Sequence, residues 1–233
     1  MSASEYKRQA AEFAAEMVTD GMVVGLGTGS TAAFVVDALG RRHKEGLRFV
    51  AIPTSVATET QAKGLDIPLT TFADHATVDL TIDGADEIQR GTLNLIKGLG
   101  GALLREKIVA AASSRLVIIA DESKLVDHLG EKCLLPVEVT PFGWEATARH
   151  LEKIGAAASP RRLRDGAFFV SDGGNLILDC HFPEISNAAR LEQDIRSIVG
   201  VVECGLFVGL AAEAVVAGPQ GVSRLTVGGV ARV

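Results

Sequence analysis

The chain has 233 residues, 47% of them hydrophobic, enough to bury a substantial core as one large domain or as a domain carrying a smaller insertion, which excludes global disorder. A formal charge of −6 and a pI near 5.4 exclude a general attraction to nucleic acid or to an anionic membrane, so an anionic ligand must be held by a local pocket. Cys133, Cys180 and Cys204 are odd in number, far apart and without a CxxC pair, which suggests reduced, buried thiols in place of a disulfide framework or a zinc knuckle.

Residues 1–17, MSASEYKRQAAEFAAEM, alternate charged and apolar positions at helical spacing and lack the apolar core of an export signal. MVV at 22–24, the run GLGTGST at 25–31 and AAFVVDALG at 32–40 predict strand, glycine loop and helix. LRFVAIPTS predicts a second strand and VATETQAKG a helix, with further strands expected at 67–72 and 78–82. A helix over 101–113 and a buried parallel strand at 115–120 complete a doubly wound, Rossmann-like α/β sheet domain.

The pattern changes near residue 134. LPVEVT predicts a strand, 144–154 a helix, and 167–170 with 176–179 a hairpin around the SDGGN turn. A helix near 187–199 and a strand near 201–206 make the order βαββαβ, a ferredoxin-like α+β unit. The expected division is 1–131 plus 207–233 for the α/β domain and 132–206 for the smaller inserted domain. The late apolar stretch 206–218 is interrupted by Glu213 and falls short of the roughly 20 residues that cross a bilayer. A cytoplasmic protein with no membrane or nucleic-acid partner is expected.

Three segments carry chemistry. In the glycine loop, small residues let backbone N–H groups approach an anion at a helix N-terminus, and Thr28, Ser30 and Thr31 add hydroxyls around Gly29. Packing alone also produces such loops. A dinucleotide fingerprint needs glycine where Ser30 stands and an acid where Pro53-Thr54-Ser55 follows the second strand, and no Gly-Lys pair exists for an ATP loop. The second segment, Asp83-Gly84-Ala85-Asp86-Glu87, follows an apolar strand and so lies at the carboxyl end of a sheet strand. Its spacing is not that of a calcium loop and no histidine is near, so no metal is expected; solvated turn acids are the plain alternative. In the third, Lys97-Gly98-Leu99-Gly100 precedes a charged helical turn containing Glu106, which by itself reads first as an ion pair on a wet helix face and only in context as a catalytic group.

Together these segments assemble the parts of an enediol isomerisation. A carboxylate can move a proton between neighbouring carbons, while a lysine and backbone N–H groups stabilise the oxyanion without a cofactor.

The ordered set GLGTGSTAA, DGADE and KGLGGALLREK, extended by ADESK at 120–124, LPVEV at 135–139, SDGGN with its following ILD, and GVV…GLF at 200–207, resembles the ribose-5-phosphate isomerase A family nearly end to end. The resemblance implies interconversion of D-ribose 5-phosphate and D-ribulose 5-phosphate in the non-oxidative pentose phosphate pathway, with no cofactor and with a homodimer or homotetramer as the assembly. It implies Glu106 as general base, Lys97 as stabiliser of the enediolate oxygen, Asp83 in ring opening and Asp86 on sugar hydroxyls. Thr28, Gly29, Ser30, Thr31 and Lys124 would serve the phosphate, and Gly84, Ala85, Gly98, Leu99 and Gly100 would line the sugar site. Leu99 departs from the glycine common at that position, which is tolerable where only its backbone is used. A phosphosugar-sensing regulatory domain and an acyl-CoA transferase are the competing readings. The first lacks a DNA-reading element here.

Overall fold

The computed structural model describes residues 2–232. A capping box opens it: Ser2 accepts from the Glu5 N–H while the Glu5 carboxylate reaches back to the Ser2 N–H. The helix that follows, α1 (Ala3–Ala15), buries Ala10, Ala11, Ala14 and Ala15, a face small enough to lie close on its neighbours. Next come β1 (Val23–Leu26), α2 (Ala32–Lys44), β2 (Val50–Pro53), α3 (Val56–Gly64) and β3 (Leu80–Gly84). These are followed by β4 (Glu87–Gln89), β5 (Leu95–Ile96), α4 (Leu103–Ala111), β6 (Leu116–Asp121), a 3-10 turn (Glu122–Lys124) and β7 (Leu125–Val126). The second half runs β8 (Leu135–Val139), α5 (Trp144–Lys153), β9 (Ala157–Pro160), β10 (Leu176–His181), α6 (Ala188–Arg196), β11 (Val201–Cys204) and β12 (Leu206–Phe207). It closes with β13 (Glu213–Gly218), β14 (Gly221–Thr226) and β15 (Gly229–Arg232).

The main sheet has the order β15-β14-β13-β6-β3-β1-β2. Its strands from β13 to β2 are parallel, and β14 and β15 add an antiparallel edge built from the last part of the chain. Helices cover both faces, as a parallel sheet requires. On one, α1 and α2 bury Val35, Val36 and Leu39 with Val24, Leu26 and Ile82 of the strands. On the other, Val109 of α4 packs with Val23, Ile52 and Val78. Residues 135–204 form a separate antiparallel sheet of order β11-β8-β10-β9, the ferredoxin-like arrangement, with its own core of Leu135, Val137, Leu151, Leu178 and Ile195. A third, small sheet, β12-β5-β4-β7, has strands of only two or three residues and gave no periodic signal in the sequence. No helix among the described residues is long and apolar enough to cross a membrane.

Two expected strands do not form. Residues 67–72 make one bridge, Leu69 to Ala51, beside the edge strand β2. Pro68 has no N–H to continue a ladder, and Asp66 just before it turns the chain at φ +59°. Residues 167–170 are likewise not the partner of β10. β9 occupies that edge, while 161–169 folds back on itself through Leu163 N–H to Ala167 O and Phe169 N–H to Arg161 O. One bridge, Val170 to Leu176, closes the SDGGN turn. The strand that replaces it, β9, carries no buried-apolar alternation, so periodicity could not have found it. The expected boundaries 1–131 and 207–233 end on Met1 and Val233, which lie outside the described residues.

Candidate active site

β6, β3 and β1 are consecutive in the main sheet, and all three deliver their carboxyl ends to one small cleft of about 100 Å³. From β1 comes the turn into α2. Gly27 packs so tightly on β3 that a Cβ there would lie 2.5 Å from the Asp83 Cα, and Gly29 turns the chain at φ +101°. Gly29, Ser30 and Thr31 then line the cleft at the N-terminus of α2, whose Thr31 makes no side-chain cap. That end of the cleft has the free N–H groups and positive helix end of an anion site.

Two lysines add charge there. Lys124, on the turn after β6, lines the cleft as the resemblance implied. Lys7 was not anticipated. It reaches in from α1, its ammonium donating to Ser30 Oγ at 3.0 Å. A lysine in an amphipathic helix reads as a solvated one, so nothing local marked it. Thr28 is also used differently from expectation. Its hydroxyl turns away into a cluster with Thr54 at 2.7 Å and Ser55 at 2.9 Å, and Thr58 closes that cluster onto the Gly27 carbonyl at 2.9 Å. Thr28 therefore offers the cleft its backbone and methyl group, and its hydroxyl pins the loop.

The three acids of DGADE take separate partners: Asp83 and Glu87 are buried, and Asp86 is half-buried at the cleft. Asp83 Oδ1 accepts from the N–H groups of Thr28 and Gly84, and its Oδ2 lies 3.1 Å from Lys97 Nζ. Asp86 lines the cleft and accepts from the Leu99 N–H at 2.9 Å. Glu87, fully buried, accepts from the N–H groups of Gly130, Lys132 and Cys133 in the loop before β8. Asp83 sits behind the cleft wall formed by Gly84, Ala85 and Lys97. Among the described residues one grouping of metal-capable donors occurs, Glu192, Glu203 and Cys204. It lies outside the cleft lining, and the Lys107 ammonium is bound among these residues.

The run Arg105-Glu106-Lys107 splits three ways: Arg105 reaches Asp172, Lys107 goes into that acidic group, and only Glu106 enters the cleft. Glu106 is 5% exposed, so the wet-face reading fails. Its Oε1 accepts from Lys97 Nζ at 3.2 Å, and its Oε2 is buried with no hydrogen-bond partner. Burial pushes its carboxyl up to about 8, against the pull of Lys97 and with a further push from Asp83. Burial alone would lower the Lys97 ammonium, but Asp83 and Glu106 outweigh it and hold it above its usual range. One ammonium thus faces two carboxylates. Asp83 has two backbone donors as well, whereas Glu106 has an uncommitted oxygen, and that asymmetry leaves Glu106 as the group able to accept a proton. Gly98 and Gly100 complete the wall, and the Leu99 side chain is 44% exposed outside it.

The family model described as Ribose 5-phosphate isomerase A (phosphoriboisomerase A) matches residues 50–221. The chain belongs to the ribose-5-phosphate isomerase A family. Among curated members, Ribose-5-phosphate isomerase A of Gloeobacter violaceus is 59% identical over 94% of this chain and 95% of its own length. The Synechococcus member is 54% identical over 96% and 98%. Among solved members, the ribose 5-phosphate isomerase A of Methanocaldococcus jannaschii superimposes with a TM-score of 0.93 at 41% identity, over 97% of this chain and all of that one. A D-ribose-5-phosphate isomerase in complex with phospho-erythronic acid gives 0.94 at 37% identity, with the same coverage. The ribose-5-phosphate isomerase A fold thus extends over nearly the whole chain.

Proposed function

We propose that this protein interconverts D-ribose 5-phosphate and D-ribulose 5-phosphate, a step of the non-oxidative pentose phosphate pathway. The observation that carries the reading is the buried, unpartnered Glu106 Oε2 beside Lys97, in a cleft whose other end is an anion site. In this reading the phosphate is held by Ser30, Thr31, the α2 N-terminus, Lys7 and Lys124, with Asp86 on the sugar hydroxyls. Glu106 takes the proton from C2 of the open aldose. The C–H electron pair forms the C1–C2 double bond, and the carbonyl oxygen becomes an enediolate oxygen facing Lys97. The O2 proton passes to O1, and as the C2 carbonyl forms the C1–C2 double-bond pair takes the proton back from Glu106 onto C1, which yields the ketose. Asp83, behind the wall, acts through Lys97, and its expected part in ring opening is assigned to that route. No cofactor enters the scheme.

The relatives' activity and the phospho-erythronic acid complex of one of them support a catalyst over a sensor, which has no use for a base beside a lysine. We further assign residues 132–206 to a smaller domain inserted in the catalytic one, and propose a cytoplasmic homodimer or homotetramer. Turnover of ribose 5-phosphate in EDTA, with Glu106→Gln alongside, tests the reading. Activity should survive the chelator and fall by at least about 10²-fold in the variant while phosphate binding persists. A folded parent chain that binds the sugar phosphate without turning it over would be a sensor.

A further inference from the structure

The wall between Lys97 and Glu106 is a segment with little of its own to hold it. Residues 98–101 belong to no helix or strand, and Gly98 and Gly101 stand at φ +103° and +81°. Such a segment has many conformations to lose on folding. Its fixed geometry comes largely from the other sheet. Arg161, one residue past β9, is nearly buried, with 13% of its side chain exposed. Its Nε and Nη2 donate to the two carboxylate oxygens of Asp179 on β10, at 2.9 and 2.5 Å. Its Nη1 donates to the carbonyls of Gly98 at 3.0 Å and Leu99 at 2.8 Å. The Phe169 ring lies 5.7 Å from the guanidinium carbon and fills the space where a Cβ on Gly101 would be 2.3 Å from its Cζ.

These bonds set two peptide planes. The Gly98–Leu99 peptide is held at both ends, its carbonyl by Arg161 and its N–H by Asp86. The Leu99–Gly100 peptide has its carbonyl on Arg161, and in a trans peptide the N–H points the opposite way. Gly100 lines the cleft and Arg161 does not. We propose that Arg161, braced by Asp179, is a positioning residue for the isomerisation: it orients residues 98–100 so that the Gly100 N–H faces the reacting sugar and Lys97 stays aligned with Glu106. This rests on the isomerase reading. A planar fork that binds a carboxylate on one edge and two carbonyls on the other is a task an ammonium cannot copy.

The test uses the full chain with Arg161→Lys and Arg161→Ala, assayed on ribose 5-phosphate for kcat and KM and for inhibition by inorganic phosphate, whose site lies at the other end of the cleft. A misplacement of the order of 1 Å predicts kcat lower by roughly ten- to a hundred-fold in both variants, with KM and phosphate inhibition within about three-fold of the parent. Methylguanidinium should restore part of the kcat of Arg161→Ala, and methylammonium should not. Parental kcat in Arg161→Lys would overturn the proposal, as would loss of phosphate inhibition in step with kcat, which marks general distortion. If Arg161→Ala fails to fold, Arg161→Lys decides alone. A parent chain without turnover would overturn both this inference and the isomerase reading, whereas an active parent with an unaffected Arg161→Lys overturns only this one.

Discussion

Glu106 and Lys97 are both held toward their protonated forms, Glu106 by burial and Lys97, against burial, by the carboxylates of Asp83 and Glu106. Because Glu106 is raised to about 8, the proton acceptor should be fully available only above that pH. The kcat/KM profile is therefore expected to climb as pH rises through about 8, read on ribose 5-phosphate in a constant-ionic-strength buffer series. Lys97→Ala removes the one cation between two carboxylates, so it should lower kcat and move that limb to still higher pH; an unmoved limb would detach it from Glu106. Folding stability carries the same signature. Below pH 4.5 the carboxyl is protonated in both states. Between 4.5 and about 8 the folded chain keeps a proton that the unfolded chain has released, so this group's contribution to stability is lost as pH rises through that window. Urea midpoints of the parent should fall across it relative to those of Glu106→Gln. None of this was readable from an isolated glutamate on a helical pattern. The residue type and its order after KGLGG suggested the role, but burial created the pKa.

At the scale of elements, local chemistry was legible wherever a segment was periodic or capped. VATETQAKG forms α3 over the stretch the pattern predicted, and the glycine loop joins β1 to α2 as expected. The two-residue strands and β9 were not legible, since their pairing depends on partners distant in the chain. Glu87 illustrates the difference. It belongs to a motif that reads as a turn, yet its carboxylate holds three backbone N–H groups of residues 130–133. Glu87→Ala strands those donors in a buried place, and a loss of roughly 2–4 kcal/mol is expected from unsatisfied buried groups. Chemical denaturation checks it, and kcat per folded molecule should stay near parental because Glu87 does not line the cleft.

Across the whole molecule, the smaller unit holds the larger one through Lys107 of α4, bound by Glu192, Glu203 and the Cys204 carbonyl, and through other contacts, two of which bear on the cleft and α3. One is Arg161 under the glycine segment. The other is the SDGGN turn, whose Asp172 Oδ2 accepts from the Val56 N–H in the first turn of α3 at 2.8 Å. The turn is itself held by Ser171 and Asn175 on the buried Glu138. Asp172→Ala leaves that first-turn N–H without its partner while the N-cap, Ser55, stays in place, and a fall of about 0.5–1.5 kcal/mol follows from the net value of one hydrogen bond. A lower urea midpoint with a single unfolding transition is expected; a separate early transition of one sheet would show that this contact, and not the cores, joins the two.

Composition, helix caps, glycine turns and the order of motifs are properties of neighbouring residues, and they were sufficient to indicate an α/β sheet with a ferredoxin-like insertion and an enediol chemistry. Distances between residues 7 and 30, 83 and 97, or 98 and 161 are not local properties. Folding alone placed Lys7 on Ser30, withdrew the Thr28 hydroxyl from the cleft, set Asp83 behind Lys97 and left one Glu106 oxygen unpartnered, because each depends on which surfaces were excluded from water and which donors were already taken.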